Sequence, residues 1–415
     1  MKRFGSGRSL LGILALPSLV IAGALVAAAC GDDDDGGGSF DAVELKIGAV
    51  LPETGALGPL GVPIIEGVKL AAEDINAAGG NVVVSFADSG TNPDTATEAV
   101  NRLLGEGNEV IIGAAASGVT QAFIQTLHDQ KVAQCSASAT SPSFSTQDNA
   151  DYFFRTVPPD EAVSPIIADE VVADGGTRVA IVARADDYGN ALADLVAASL
   201  DELGAEHETF LYDPAATTFD SEVTAVTNYG PDAIVNIGFF FDGTNIIRGL
   251  IEAGFAADIQ YGADGLFLPT LPEEVDPNNA NVLDGMKVIG ASGSKEFNDR
   301  LTKITDGNLI YGGQAYDCVV LLALAAQTAG GTDGDAMIEA INGLTTGGEE
   351  CTSYADCAAK IADGKDVDYV GGPAGPMNLD AVGDPTIATY AVAQWQDGVL
   401  GPVSSQQIDL ADVGN

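Results

Sequence analysis

Leu45-Lys46-Ile47-Gly48-Ala49-Val50-Leu51 is a short, mostly apolar run, and the alternation of elements that begins with it decides the fold. A loop punctuated by glycine and proline leads into Ile64, Val68, Ala72 and Ile75, which recur at helical spacing on one face. Residues 82–87 then read as a strand, 95–104 as a helix and 109–113 as the next strand. A helix over 118–129 and a strand over 132–136 complete the series. Short strands separated by helices of this length need crossover connections, which make the sheet parallel.

The pattern restarts after Arg155-Thr156-Val157-Pro158-Pro159. A helix leads to strand 178–183, helix 190–203, strand 208–212, a further helix, strand 232–238, helix 244–253 and a short strand near Gln260. Two successive units of this kind predict an α/β protein with two doubly wound parallel-sheet lobes, and Pro158-Pro159 is the expected crossing between them. Past 286–291 come helices at 316–328 and 335–344, a Gly-, Pro- and Asp-rich loop at 364–384 and an alternating strand at 387–395. More than 100 residues beyond a finished second lobe imply a return to the first.

The first forty residues carry a different signal. Lys2, Arg3 and Arg8 precede an apolar run from Leu10 to Ala29 that closes on Ala27-Ala28-Ala29-Cys30. A basic start, an apolar core and small residues before a cut site describe a secretory signal at 1–29. The run approaches the roughly 20 residues of a membrane span, so an uncleaved helix is the competing reading. Small residues before a cysteine resemble the bacterial lipobox, with Ala27 where leucine is usual, and Cys30 is the expected lipidation site. Gly31, Asp32 to Asp35 and the following glycines give residues 30–40 the composition of a flexible acidic tether; adjacent carboxylates without a scaffold hold no metal.

The sequence has 17 basic and 60 acidic residues. Three of the basic residues and none of the acidic ones lie in 1–29, so residues 30–415 carry 14 against 60, a net −46. Such an excess excludes nucleic acid as a partner, because phosphate contacts need clustered Lys and Arg. Cys351 and Cys357 are six apart in a polar neighbourhood and are expected to bridge; Cys135 and Cys318 either pair or remain buried thiols. The spacing is not ligand-like for zinc, and neither a metal nor a cofactor is expected.

In doubly wound sheets ligands lie beyond the carboxyl ends of strands, where helix N-termini present amides. Four loops there carry suitable chemistry. Glu53 to Gly61 spaces its glycines G-x-x-G-x-x-G around Pro59, which is wrong for a dinucleotide fingerprint even with Asp88 as a ribose acceptor; Leu57 and Leu60 can form an apolar lip. Ser117 opens one helix, either as a cap or as a carboxylate ligand. Ser138, Ala139 and Thr140 form a second small-residue turn. In the second unit, Asp187-Tyr188-Gly189 and Phe239-Phe240-Phe241-Asp242 come after strands, and a carboxylate beside aromatic walls suits an ammonium group.

Taken in order, these segments resemble the branched-chain amino-acid-binding type of ABC-transporter substrate-binding protein. The resemblance rests on Lys46-Ile47-Gly48-Ala49-Val50-Leu51-Pro52 with Thr54-Gly55, Ala72-Glu73-Asp74-Ile75-Asn76-Ala77-Ala78-Gly79-Gly80, Ser117-Gly118-Val119-Thr120, Ser138-Ala139-Thr140-Ser141-Pro142, Phe154-Arg155-Thr156-Val157-Pro158 and Asp187-Tyr188-Gly189. It implies a type I periplasmic-binding-protein fold with a three-crossover hinge, dividing the chain into 41–157 plus 289–390 and 158–288 plus 391–415. It also implies that Ser117, Ser138, Ala139 and Thr140 hold the carboxylate and amine of an amino acid, with Tyr188 and Asp242 near the amine. Leu57, Phe240 and Phe241 are candidate pocket walls. The implied partners are a small solute, an ABC permease with its ATPase, and the membrane through a lipid anchor. An amine-free ligand, either an aromatic carboxylate or an amide, and service as a sensor are the alternatives.

An enzyme is not expected. His128 falls in a helical pattern and His207 in a charged stretch, and no G-x-S-x-G or H-E-x-x-H occurs, so no catalytic residue is assigned.

Overall fold

The computed structural model describes residues 42–305 and 307–410. The expected signal at 1–29, Cys30 and the tether at 30–40 lie outside these residues. Among the described residues no helix is long and apolar enough to cross a membrane.

β1 (Glu44–Leu51), α1 (Gly58–Ala77), β2 (Asn81–Asp88), α2 (Pro93–Gly105), β3 (Val110–Gly113), α3 (Ser117–Gln130), β4 (Gln134–Ser136) and β5 (Phe153–Arg155) build the first sheet and its helices. The strand order is β2-β1-β3-β4-β5, every pair parallel. β1 is an inner strand buried along most of its length, which explains why it reads as an apolar run rather than an alternation.

The chain then crosses over and forms α4 (Ser164–Ala173), β6 (Arg178–Arg184), α5 (Asp187–Leu203), β7 (Glu206–Tyr212), α6 (Asp220–Tyr229), β8 (Ala233–Ile237), α7 (Phe240–Glu252), β9 (Gln260–Gly262), α8 (Leu271–Val275) and β10 (Lys287–Ala291). From β10 it returns to the first lobe with α9 (Lys295–Thr305), α10 (Gly312–Ala329), α11 (Gly334–Gly343), β11 (Glu349–Cys351), α12 (Tyr354–Ala362), β12 (Val367–Tyr369), β13 (Gly371–Gly372) and β14 (Gly375–Pro376). α10 packs on α1 and behind β3 and β4. The approach is close: a Cβ on Gly67 of α1 would stand 2.2 Å from the carbonyl oxygen of Gly312, so only glycine fits there.

Finally β15 (Ile387–Gln396) and β16 (Val399–Asp409) cross back and complete a seven-stranded sheet, ordered β16-β15-β10-β9-β8-β6-β7. Within this sheet only the pairs β10–β15 and β15–β16 are antiparallel. The fold is therefore α/β with two doubly wound, mainly parallel lobes. The residue pairs 288/289 and 390/391, where the sequence reading puts the later crossings, fall inside β10 and β15 of the second sheet. The connecting segments are those flanking the strands, after Ala291 and before Ile387.

Two disulfides brace the structure. Cys351 joins Cys357 across the β11–α12 turn, and Cys135 of β4 joins Cys318 of α10, with Cα atoms 5.7 Å apart. The second bond fixes α10 to the sheet it covers.

Candidate functional site

The carboxyl ends of β3 and β4 release two turns that are fastened to each other. Gln134 donates to the carbonyl of Gly113 at 2.6 Å, and Ser136 Oγ donates to that of Ala114 at 2.8 Å. Ser138 Oγ donates to the carbonyl of Ala115 at 3.1 Å, and Ser117 Oγ accepts from the Ser141 amide at 3.2 Å. Arg155, fully buried at the end of β5, supports the outer turn from behind. Its Nη1 donates to the carbonyls of Ala139 and Ser141 at 3.0 and 2.9 Å, while Nε and Nη2 pair with Asp384 at 2.5 and 3.0 Å. A planar, two-pronged guanidinium is the side chain suited to that task, and it ties the first crossover to the third.

The second lobe faces these turns with Tyr188, Phe239 and Asp264. Tyr188 is the second residue of α5 and stacks on Phe239 with ring centroids 5.3 Å apart. Asp264 lies in the turn that follows β9. It accepts hydrogen bonds from the hydroxyls of Tyr188 and Tyr311 and from the Gly265 amide. Burial pushes the Asp264 carboxyl above its ordinary range in spite of these donors. Burial, reinforced by the negative charge of Asp264, likewise pushes both tyrosine hydroxyls well up, so they remain donors.

Leu57, Leu60, Ser117 and Ser138 on one side and Tyr188, Phe239 and Asp264 on the other enclose a cavity of about 20 Å³. That is room for about one water molecule, so a solute enters only if the walls separate. The loop bearing Leu57 is held by Asp88, which accepts from the amides of Glu53 and Thr54 and from Thr54 Oγ1 at 2.9, 3.1 and 2.5 Å. Burial opposes the charge on Asp88, but these bonds and the Gly90 amide outweigh it and hold its carboxyl below the usual range.

Of the residues singled out in the sequence, Ser117, Ser138, Tyr188 and Leu57 meet at this cavity. Ala139 does not line it; its side chain packs with Ile124, Phe144 and Phe153. Thr140 is buried, with its Oγ1 beside the carboxylate of Asp160 rather than in the cavity lining. Asp242 is elsewhere: its carboxylate pairs with Arg184 at 3.0 Å, accepts from Tyr212 at 2.6 Å and caps the Phe239 amide at 3.2 Å. It anchors the start of α7. Phe240 packs in the core and Phe241 is 51% exposed, so the aromatic wall is Phe239 instead. His128 and His207 are near Asp151 and Asp201, outside the cavity lining. Among the described residues no cluster could hold a metal ion.

Three residues escaped the sequence reading. Asp264 stands between Ala263 and Gly265 right after a short strand, a signal comparable to that of the four loops with suitable chemistry. Asp160 comes directly after Pro158-Pro159 and was hidden by the crossing assigned there. Tyr311 precedes a helix and has a left-handed φ of 62°, which nothing in its neighbours announces.

The model of the periplasmic binding protein family matches residues 44–399. Leu/Ile/Val-binding protein homolog 3 of Brucella melitensis is 24% identical over 366 residues, 86% of this chain and 93% of that one. Leu/Ile/Val-binding protein BraC3 of Rhizobium johnstonii is 28% identical over 232 residues, 54% of this chain and 62% of its own. Among solved structures, the leucine-binding protein LivK of Thermotoga maritima superposes with a TM-score of 0.73 at 20% identity, covering 87% of this chain and 98% of its own. A solute-binding protein of R. palustris in complex with 4-hydroxybenzoate gives a TM-score of 0.72 at 19% identity, covering 89% and 99%. At these identities the superpositions speak for the fold.

Proposed function

The chain belongs to the periplasmic binding protein family, and from that premise we propose that it is the extracytoplasmic solute-binding lipoprotein of an ABC importer, with an amino acid as its solute. The observation that carries the reading is Asp264: a buried carboxylate, with hydrogen-bond donors but no cation on it, opposite Ser117 and Ser138. A carboxylate so placed suits an ammonium group. The Ser117 hydroxyl and the amides at the start of α3 suit a carboxylate. An α-amino acid satisfies both lobes at once, and Leu57, Leu60 and Phe239 offer its side chain an apolar wall.

Capture is then a matter of differential binding. Neither lobe has the whole site, so contacts to both stabilise the closed arrangement, which a membrane permease with its ATPase recognises. The crossovers near Pro158, after Ala291 and before Ile387 act as the hinge. Cys30 carries the lipid that keeps the body at the membrane surface. No catalytic role is assigned.

A thermal-shift panel tests the ligand class, setting L-leucine, L-isoleucine and L-valine against benzoate, 4-hydroxybenzoate and acetamide. Stabilisation by at least one amino acid is expected. A response only to benzoate or 4-hydroxybenzoate would sink the amino-acid reading, because Asp264 would then face a second anion. Mass spectrometry of the mature N-terminus tests Cys30; an unmodified Cys30 excludes the anchor.

A further inference from the structure

Asp160 sits on the first crossover with its backbone fully engaged. Its amide donates to the Thr140 carbonyl at 3.0 Å, and its own carbonyl accepts from the amides of Val163 and Ser164. Its side chain contrasts with this. Asp160 is completely buried, no cation pairs with its carboxylate, and the one hydroxyl beside it is that of Thr140, which has no other partner. The groups facing it are Asp264 from the second lobe, Tyr188 of α5, Tyr390 of β15, and Arg155 and Glu161 on its own stretch of chain. Arg155 is occupied by Asp384 and by two carbonyls. The remaining neighbours are neutral or negative.

A buried carboxylate without a counter-charge costs several kcal/mol, and proteins pair such groups or keep them protonated. Here two of them share one interior, and their only near cation is already bound. We propose that the carboxylates of Asp160 and Asp264 together receive the cationic group of the ligand, one reaching it from the first crossover and the other from the second lobe. This rests on the reading of the ligand as an amino acid. Two carboxylates around one cation still leave an excess negative charge, so the site holds a proton until the cation arrives and then releases it to solvent. Burial first, and then the charge of Asp264, push the Asp160 carboxyl well above its ordinary range, in the direction this exchange needs.

The test is Asp160→Asn, which keeps the shape of the protonated acid. The titrant is whichever of L-leucine, L-isoleucine and L-valine stabilises the wild-type protein most. Calorimetry at pH 7 in phosphate and in Tris, whose ionisation heats differ, reads the protons released. Proton release in the wild type, with none and at least tenfold weaker binding in the variant, is the expected result. Equal affinity and equal proton counts overturn the inference and leave the amino-acid reading standing. Binding of benzoate alone overturns both.

A readout without ligand accompanies it. The protonated acid is the form that burial favours, so stability is full below the unfolded carboxyl value and is lost as pH rises through the folded one. The Tm of the wild type therefore falls relative to that of Asp160→Asn between pH 4.5 and 8. Should none of the probes bind, parallel curves overturn the inference and diverging ones support it.

Discussion

The Tyr311 hydroxyl, at the start of α10 on the first lobe, donates to the Asp264 carboxylate of the second. The bond spans the cleft, so it exists only while the two lobes are together. It also occupies an oxygen that an arriving ammonium group would address.

Tyr311→Phe removes this donor and leaves the cleft otherwise intact. A hydrogen bond to a charged group contributes about 1.5–3 kcal/mol, so the ligand-free population shifts toward open forms. Small-angle scattering is expected to give a larger radius of gyration for the variant without ligand. An unchanged scattering curve would mean that the bond contributes nothing to closure.

Asp242, in the first turn of α7, and Asp264, after β9, are both buried acids, yet they separate in a mutational test. Asp242→Ala strips Arg184 of one carboxylate and the Phe239 amide of its cap, although Arg184 keeps Asp186 at 2.6 Å. A loss of about 3 kcal/mol in denaturant unfolding is expected. Asp264→Asn should preserve or raise stability and weaken amino-acid binding at least a hundredfold. Reversed phenotypes would exchange the two roles.

Asp317 of α10 gives the fold a pH dependence away from the cleft. It is fully buried, accepts from the Tyr369 hydroxyl at 2.6 Å and the Ala374 amide at 2.7 Å, and burial pushes its carboxyl up to about 7. The folded value lies above the unfolded one of about 3.9, so stability is intact below pH 4 and is lost as pH rises to 7. The full effect is on the order of 4 kcal/mol. Asp88 and Asp232, held below their usual range, work in the opposite direction and cancel in a comparison with Asp317→Asn. The Tm difference between wild type and variant should widen between pH 4.5 and 7.5; a constant difference would contradict the assignment.

The two disulfides close loops of very different length, 183 and 6 residues. Chain-entropy arguments assign about 5 kcal/mol to the former and about 2 kcal/mol to the latter. Replacing Cys135 and Cys318 by alanine is accordingly expected to lower Tm more than replacing Cys351 and Cys357. Equal losses would contradict a loop-entropy origin of the difference.

Most of the architecture was legible because parallel strands buried on both faces announce themselves as apolar runs. β1, β2 and β6 were located to within about one residue of their observed ends. β5 is three residues long and merges with the crossover, and β16 is an edge strand of Gly, Pro, Ser and Gln without alternation, so neither gave a signal. The site was half legible. Serines in small-residue turns are visible by position, and Ser117 and Ser138 line one cavity. That Asp242 already has a cation was not visible in the sequence, because Arg184 reaches it from another strand. That Asp160 has no cation of its own is likewise a property of packing.

The shuttling of the chain between lobes also governs how this protein comes to be folded. The sheet of the first lobe, finished in sequence at Arg155, stays uncovered behind until α10 arrives from residues 312–329. The second sheet lacks two of its seven strands until residues 387–409 pair. Contacts of such long sequence separation make for slow acquisition of structure and prolonged exposure of sticky intermediates. The large negative charge of the chain has a use in that interval, since half-assembled molecules repel one another while their apolar faces are still open to water.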